Sequence, residues 1–296
     1  MSHVEVEIAS QPDCWRKAAE LAATHAAALP RPGERVAVTG CGTSLFMSQT
    51  IAALRERHGG ELGGETDALP ASEFPGTRRY DRVLALSRSG TTTEVVDLLR
   101  RLRGTVPTTV ITADASTPVV EAADEAVVLD FADEQSVVQT RFATTALAVL
   151  RAHLGQDLEP LIADAERAVA EPLPDGAVEA TQFTFLGRGW TVGIANEAGL
   201  KLREASLSWA ESYPAMEYRH GPISVTDERS LVWMLGEAPE GLADDVRRTG
   251  GRWVEADRDA MVELIRAQRL AVALAERAAI DPDQPRNLAY SIILNK

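Results

Sequence analysis

One pattern occurs twice in this chain: a short apolar run ends in Gly-x-Gly and leads directly into a segment that favours helix. The first copy is VAVTGCG at residues 36–42, and the second is TFLGRG at residues 184–189. A short apolar run bounded by glycine is typical of a buried strand. Buried strands that alternate with helices predict a parallel sheet covered by helices on both faces. We therefore expect an α/β protein with two similar halves.

The two copies keep a nearly constant spacing along the sequence. Gly40 and Gly187 lie 147 residues apart, and Ser87 and Gly236, near the ends of the next apolar runs, lie 149 apart. Such spacing predicts duplication of a strand–helix–strand unit. The predicted organisation is an N-terminal helical segment at 1–34, a first domain at 35–156, a linker helix at 157–180, a second domain at 181–280 and a C-terminal tail at 281–296. Within the second domain, we expect a helix over 194–210 and a late strand over 254–257.

Charge and cysteine content exclude several classes of protein. The formal net charge of −14 argues against nucleic acid or an anionic membrane as a partner. The two cysteines, Cys14 and Cys41, form neither a disulfide framework nor a zinc ligand set. The sequence lacks a signal peptide and an apolar run of about 18 residues. We expect a cytoplasmic protein with no membrane partner and no metal site.

Two hydroxyl-rich segments follow predicted strands of the first half, where ligands bind in open parallel sheets. We name them the CGTS loop (residues 41–44, with Gly42, Thr43 and Ser44) and the SRSGTT loop (residues 87–92). Both combine glycine and hydroxyl groups with a following helix N-terminus, which is the composition of a phosphate site. Ordinary helix N-caps have a similar composition, so the loops are either simple N-caps or a phosphate site.

Nucleotide-binding patterns are weaker. Neither loop has the Gly-x-x-x-x-Gly-Lys-Ser/Thr pattern of an ATP-binding loop. The segment GRGWTVG, at residues 187–193, has Rossmann-like glycines but lacks an acidic partner about 20 residues further on. A nucleotide-dependent oxidoreductase is therefore disfavoured.

The second half carries candidate acid–base residues. Glu197, Lys201 and Glu204 fall at i, i+4 and i+7 and share one helix face. Such a face is usually solvated, but partial burial would let a carboxylate act as a general base. His220, in the turn-like string RHGP, is either structural or an acid–base group for sugar chemistry.

Several strings together resemble a known family. They are CGTS, SRSGTT, TRFATT, GLKLREASLSWAESYPAMEYRHGP and DPDQPRNLA, in this order from about residue 35 to the C-terminus. They are similar to the double sugar isomerase (SIS) domain, as in the isomerase domain of glucosamine-6-phosphate synthase and its stand-alone relatives. The resemblance implies two tandem flavodoxin-like three-layer αβα domains, each with a mostly parallel sheet, and a homodimer. It also implies that the C-terminal tail closes on the site.

The resemblance also implies roles for individual residues. The phosphate would be held by Ser44 and by four residues of the SRSGTT loop, Ser87, Arg88, Ser89 and Thr92. The sugar would be contacted by Val137, Gln139 and Lys201. Glu204 would be the general base between C1 and C2, and His220, contributed across the subunit interface, would open the sugar ring. The family usually has Gln at the position of Arg88 and Ser at that of Gln139.

Two departures from the family narrow the expected activity. No glutaminase domain precedes residue 35, so we expect no hydrolysis of glutamine. Tyr290 stands where the synthases carry a lysine that forms a Schiff base, and a phenol cannot form an imine. Lys296, six residues later, remains a candidate substitute amine.

The sequence therefore predicts a protein whose partner is a small-molecule sugar phosphate. The expected reaction is aldose–ketose isomerisation, or deamination of an amino-sugar phosphate, without a metal or organic cofactor. Two alternatives stay open: a non-catalytic sugar-phosphate sensor and a fructosamine-6-phosphate deglycase.

Overall fold

The structure, a computed structural model, describes residues 1–58 and 60–294. The α-helices are α1 (His3–Ala9), α2 (Gln11–Thr24), α3 (Thr43–His58), α4 (Thr93–Leu102), α5 (Pro118–Ala122), α6 (Arg141–His153), α7 (Glu159–Ala168), α8 (Thr191–Ser206), α9 (Leu242–Arg248) and α10 (Ala260–Arg277). The β-strands are β1 (Val36–Gly40), β2 (Thr66–Pro70), β3 (Arg82–Ser87), β4 (Thr108–Thr112), β5 (Glu125–Val128), β6 (Gln182–Gly187), β7 (Ala210–Pro214), β8 (Ser230–Leu235) and β9 (Arg252–Val254).

The described residues group into two compact units. The N-sheet unit contains residues 10–58, 60–134, 139–162 and 289–294, and the C-sheet unit contains residues 1–9, 135–138 and 163–288. Each unit has one sheet, and every strand pair in both sheets is parallel. The chain is therefore an α/β protein with two parallel sheets. The domain boundaries given above stay a prediction.

The five-stranded sheet of the N-sheet unit has the order β2-β1-β3-β4-β5, an order common among doubly wound parallel sheets. Its central strands β1, β3 and β4 are buried along their whole length. This burial matches the apolar runs within them, VAV in β1, VLAL in β3 and VI in β4. A parallel strand is covered on both faces and needs no polar alternation. The sequence predicted β3 with its observed bounds.

The four-stranded sheet of the C-sheet unit has the order β7-β6-β8-β9. Its central strands, β6 and β8, are again almost completely buried. The first strand of each sheet ends in a glycine that lies opposite a proline of the edge strand: Gly40 opposite Pro70, and Gly187 opposite Pro214. In each sheet a helix begins within four residues of that glycine.

The sequence prediction was wrong in two places in the C-sheet unit. The helix predicted over 194–210 ends at Ser206 as α8, and Leu207 adopts the left-handed conformation with φ of 56°. From Ala210 the chain forms edge strand β7, because its backbone pairs with β6. The late strand lies at Arg252–Val254 rather than at 254–257, because residues 252–254 pair with β8.

Close packing at the end of β1 fixes the start of α3. A Cβ atom at Gly40 would lie 2.5 Å from the Cβ of Ser44 and 3.1 Å from the carbonyl oxygen of Leu86. These distances leave no room for a side chain, so glycine is required where the helix turns back over the strand.

None of the helices within residues 1–58 and 60–294 combines the length and the apolar character that crossing a membrane requires.

We expect alanine substitutions at Gly33 and Gly90 to lower the free energy of unfolding by different amounts. Both glycines have a left-handed φ, +70° and +62°, which costs a residue with a Cβ about 1 kcal/mol. A Cβ at Gly33 would meet nothing within 4 Å, whereas one at Gly90 would overlap the side chain of Thr117. Gly33→Ala should therefore lower the free energy of unfolding by about 1 kcal/mol, and Gly90→Ala by about 3 kcal/mol, since overpacking adds to the backbone strain. Urea unfolding followed by circular dichroism measures both, and equal losses would contradict the packing around Gly90.

Candidate active site

The CGTS loop joins β1 to α3 in the N-sheet unit. Gly42 is exposed and has a left-handed φ of 55°. Thr43 and Ser44, the first residues of α3, are buried. The N–H groups of Ser44 and Leu45 donate to the carbonyl oxygens of Cys41 and Gly42, at 3.1 and 3.0 Å. The start of α3 also carries the positive end of the helix dipole, which favours an anion at this loop.

The SRSGTT loop joins β3 to α4 at the same edge of that sheet. The hydroxyls of Ser89 and Thr92 lie 3.5 Å apart, and the Ser89 hydroxyl accepts a hydrogen bond from the backbone N–H of Thr91 at 3.4 Å. Thr92 is the N-cap of α4, but its side chain makes no capping hydrogen bond. Several hydroxyls therefore converge where the helix begins.

Ser87, at the end of β3, is the most informative residue of this loop. It is 4% exposed, and its Oγ atom has no hydrogen-bond partner among the residues that the structure describes. A buried hydroxyl without a partner costs about 1–3 kcal/mol. Native proteins rarely leave such groups unpaired, so this hydroxyl marks a place where a ligand or a water is expected.

Arg88 brings a positive charge into the loop. Its guanidinium is buried and lies 3.7 Å from the equally buried carboxylate of Glu134. One oxygen of Glu134 also accepts hydrogen bonds from the backbone N–H groups of Thr140 and Arg141, at 2.5 and 2.8 Å. The positive charge of Arg88 is therefore partly compensated inside the protein.

Tyr290 lies against Arg88. The Arg88 guanidinium sits 3.9 Å from the centre of the Tyr290 ring, and its Nη2 donates to the Tyr290 carbonyl at 3.0 Å. The phenol donates to Asp133 at 3.1 Å. Burial raises the pKa of Tyr290 to about 12, with Arg88 opposing the increase and Asp133 adding to it. The phenol therefore stays protonated at neutral pH.

The acid–base candidates of the C-sheet unit lie on α8. Lys201 is buried and lies 3.3 Å from Glu197, which is also buried, and it donates a hydrogen bond to Glu204. Burial opposes the charge of Lys201, but the two carboxylates outweigh this effect and raise its pKa above the ordinary value. The side chain of Glu204 is 18% exposed. Of the three, Glu204 is thus the side chain that reaches solvent.

The other predicted residues have more varied surroundings. His220 ends a short 3-10 helix in the C-sheet unit and is exposed. Val137 also belongs to the C-sheet unit, and Gln139 belongs to the N-sheet unit. The Gln139 Oε1 atom is buried and has no hydrogen-bond partner within the described part of the chain. Lys296 lies outside the described residues.

The structure therefore brings the predicted residues together in two sets. In the N-sheet unit, Arg88 contacts Tyr290 and the hydroxyls of Ser89 and Thr92 lie 3.5 Å apart, while Ser87 belongs to the same loop. In the C-sheet unit, Lys201 and Glu204 are in direct contact. Sequence reasoning missed Ser291, whose hydroxyl accepts hydrogen bonds from hydroxyls of the SRSGTT loop, and Glu134. Neither belongs to a string with a recognisable chemical pattern. Among residues 1–58 and 60–294, no group of three or more His, Cys, Asp or Glu side chains is arranged to hold a metal ion.

No family model matches the chain. In sequence it is similar to isomerizing glutamine–fructose-6-phosphate aminotransferases. The protein from Thermus thermophilus is 30% identical over 321 aligned residues, covering 89% of this chain and 52% of that protein. The one from Haemophilus influenzae is 29% identical over 317 aligned residues, covering 88% of this chain and 52% of that protein. The chain spans about half the length of these relatives.

Solved structures extend the similarity over nearly the whole chain. Glucosamine-6-phosphate deaminase from Thermotoga maritima has a TM-score of 0.81 at 26% identity, covering 99% of this chain and 100% of that chain. Tagatose-6-phosphate ketose/aldose isomerase from Escherichia coli has a TM-score of 0.78 at 20% identity, covering 97% of each chain. The chain is thus homologous to the aminotransferases over the half of their length that it spans, and it has the SIS fold of the phosphosugar isomerases.

Proposed function

We propose that this chain consists of two tandem flavodoxin-like SIS domains and binds a sugar phosphate through the CGTS and SRSGTT loops. The observation that carries the proposal is the buried Ser87 hydroxyl, which lacks a partner among the described residues beside a cluster of further hydroxyls. Phosphate oxygens are strong acceptors, and one of them would satisfy this donor.

The charge of the chain is consistent with such a local site. A net charge of −14 repels anions at long range. A phosphoryl group must therefore be held by short-range interactions, and the loops offer hydroxyl groups and the positive ends of two helix dipoles. The names of the similar proteins, among them a glucosamine-6-phosphate deaminase and a tagatose-6-phosphate isomerase, support a sugar phosphate as the ligand class.

For the chemical step, we assign proton transfer to Glu204. In aldose–ketose isomerisation its carboxylate would take the proton from C2 and return it to C1 through an enediol. In deamination, an amino-sugar phosphate and one water would give a ketose phosphate and ammonia by the same proton shift. Lys201 would position the Glu204 carboxylate, because its ammonium donates a hydrogen bond to that carboxylate. His220 would open the sugar ring, and a homodimer would supply it across the interface.

A binding protein without catalysis is the second candidate, and Tyr290 favours it. This residue replaces the imine-forming lysine of the synthases, and its phenol is engaged by Asp133. The buried Glu197–Lys201 pair, with Glu204 hydrogen-bonded to it, argues for an enzyme instead. Burying a lysine beside two carboxylates is costly and is typical of functional sites. A deglycase would use the same proton shift on a different amine.

We expect Glu204→Gln to abolish turnover while ligand binding persists. The amide keeps the shape of the side chain but cannot accept a proton, so the rate should fall by at least about 100-fold. Formation of fructose 6-phosphate and ammonia from glucosamine 6-phosphate, and aldose–ketose exchange of hexose phosphates, measure the rate. Calorimetry with the same sugars measures binding.

Glu276→Gln is the matched control for this variant, because Glu276 is an exposed carboxylate at the end of α10 in the same unit. It should keep the full rate. Undiminished activity in Glu204→Gln would exclude the proposed base. Binding without turnover in the unmodified chain, across a panel of sugar phosphates, would favour the non-catalytic candidate.

We expect Ser87→Ala to weaken sugar-phosphate binding without loss of stability. Removing a buried hydroxyl that has no partner costs nothing in the free protein, so the free energy of unfolding should stay equal or rise. The complex loses a hydrogen bond to a charged group, worth about 1.5–3 kcal/mol, so Kd should rise by roughly 10- to 100-fold. Urea unfolding and calorimetry with fructose 6-phosphate measure the two quantities.

Ser230→Ala is the matched control, and we expect it to lose stability while its sugar-phosphate binding stays unchanged. Ser230 is also buried, but it lies at the start of β8, and its hydroxyl accepts from the Asp227 backbone N–H at 2.9 Å and donates to Gln182 at 2.5 Å. This variant should lose about 1–3 kcal/mol of stability and keep its Kd. If Ser87→Ala binds as tightly as the unmodified chain, the phosphate site does not include this hydroxyl.

A further inference from the structure

The C-terminal segment 290–294 occupies the SRSGTT loop, the loop to which we assigned the phosphate. The Ser291 hydroxyl lies 3.1 Å from the Ser89 hydroxyl, 2.9 Å from that of Thr91 and 3.4 Å from that of Thr92. Three loop hydroxyls thus converge on a single oxygen of the tail. One oxygen held by several hydroxyl donors is the arrangement that a phosphate oxygen would have.

The tail also takes the N-terminus of α4. The first helical N–H group, that of Thr93, donates to the carbonyl oxygen of Ile292 at 3.1 Å. The N–H of Leu294 in turn donates to the Thr93 hydroxyl at 2.9 Å. A carbonyl oxygen carries partial negative charge, so it makes the same electrostatic contact with the helix dipole as an anion, only weaker.

Arg88 also contacts the tail, through Tyr290. Its guanidinium donates to the Tyr290 carbonyl and lies over the Tyr290 ring at 3.9 Å. A guanidinium over an aromatic face contributes about 0.5–1 kcal/mol, and more when it is desolvated. The side chain, the hydroxyl cluster and the helix N-terminus of the loop are all engaged by consecutive tail residues.

From these contacts we infer that segment 290–294 is an intramolecular competitor of the sugar phosphate. The inference rests on the proposed function, because it takes the SRSGTT loop as the phosphate site. A phosphoryl group that used the Ser89, Thr91 and Thr92 hydroxyls would need the position that Ser291 holds. The tail must leave the loop before the phosphate binds, so the measured affinity equals the intrinsic affinity reduced by the fraction of molecules with a free loop.

This inference differs from the behaviour that the family resemblance implies. A tail that closes over a bound sugar becomes more ordered when the ligand arrives. A tail that competes with the ligand becomes less ordered, because its hydrogen bonds to Thr93 and to the loop hydroxyls are lost. The two behaviours predict opposite changes in hydrogen exchange.

The test compares three forms of the full chain: the unmodified protein, Ser291→Ala and Ile293→Ala. Ser291→Ala removes the oxygen shared by the three loop hydroxyls and leaves the loop intact. We take the net free energy of the hydrogen bonds to this oxygen as about 0.5–1 kcal/mol. The Kd of this variant for inorganic phosphate and for fructose 6-phosphate should therefore be about 2- to 5-fold lower than that of the unmodified protein. Ile293 is 63% exposed, and Ile293→Ala should leave both Kd values unchanged.

A chain shortened after residue 289 serves as a second variant. It removes every contact of segment 290–294, so its Kd for the same two ligands should fall further, by about 10-fold or more. Calorimetry at one ionic strength gives all values. A lower Kd in both variants supports the competition, and an unchanged or higher Kd in Ser291→Ala and in the shortened chain overturns it.

Hydrogen exchange gives an independent readout on the unmodified chain. Saturating inorganic phosphate should speed exchange at the amide of Leu294, because its acceptor contact with Thr93 is broken. Slower exchange in the tail would mean closure over the ligand and would overturn the inference. Absence of binding heat in every form would overturn the proposed phosphate site itself, whereas equal binding in every form would overturn the competition alone.

Discussion

Both proposed phosphate loops depend on the parallel pairing of β1 with β3. The two strands run in the same direction, with Thr39 opposite Ala85 near their ends. The loops that follow them therefore begin at one edge of the sheet. The pairing also leaves no space at Gly40, where a Cβ would lie 3.1 Å from the carbonyl oxygen of Leu86 and 2.5 Å from Ser44. Because glycine lets α3 start so close to the strand, a helix N-terminus and its hydroxyls come to lie beside the end of β3. The loop chemistry follows from backbone geometry before any side chain is considered.

The parts of the fold that were predictable from the sequence are those that burial alone determines. Strands β1, β3 and β8 are buried on both faces, so their apolar runs identify them directly. The edge strands β2 (TDALP) and β7 (AESYP) are half-exposed and carry neither an apolar run nor a strict alternation. They are strands because a neighbouring strand offers its backbone groups. For the same reason local propensity extended α8 too far, since nothing before Ser206 signals the pairing that begins at Ala210.

In the candidate site, too, local features were predictable from the sequence and long-range contacts were not. The hydroxyl loops were predictable because their composition is local, and the contact of Lys201 with Glu197 follows from their i, i+4 spacing. The contact between Ser89 and Ser291 spans 202 residues, and no periodicity or motif connects two serines at that distance. The carboxylate of Glu134 is also absent from any motif, although it is the ion-pair partner of Arg88. Sequence reasoning therefore identified the donors of the loop but not the groups that already occupy or neutralise them.

The partial neutralisation of Arg88 explains why the uncharged segment 290–294 is able to compete with an anion. A guanidinium paired with the buried carboxylate of Glu134 adds less to phosphate affinity than an uncompensated one would. The attraction then comes mainly from hydroxyl dipoles and from the N-terminus of α4, which serve a hydroxyl or a carbonyl oxygen as well as a phosphate oxygen. A segment of the same chain is present at an effective concentration on the order of millimolar, whereas a free ligand pays the full cost of association. The net charge of −14 further lowers the long-range advantage of a dianion. A site that recognises oxygen acceptors rather than net charge is therefore open to its own tail.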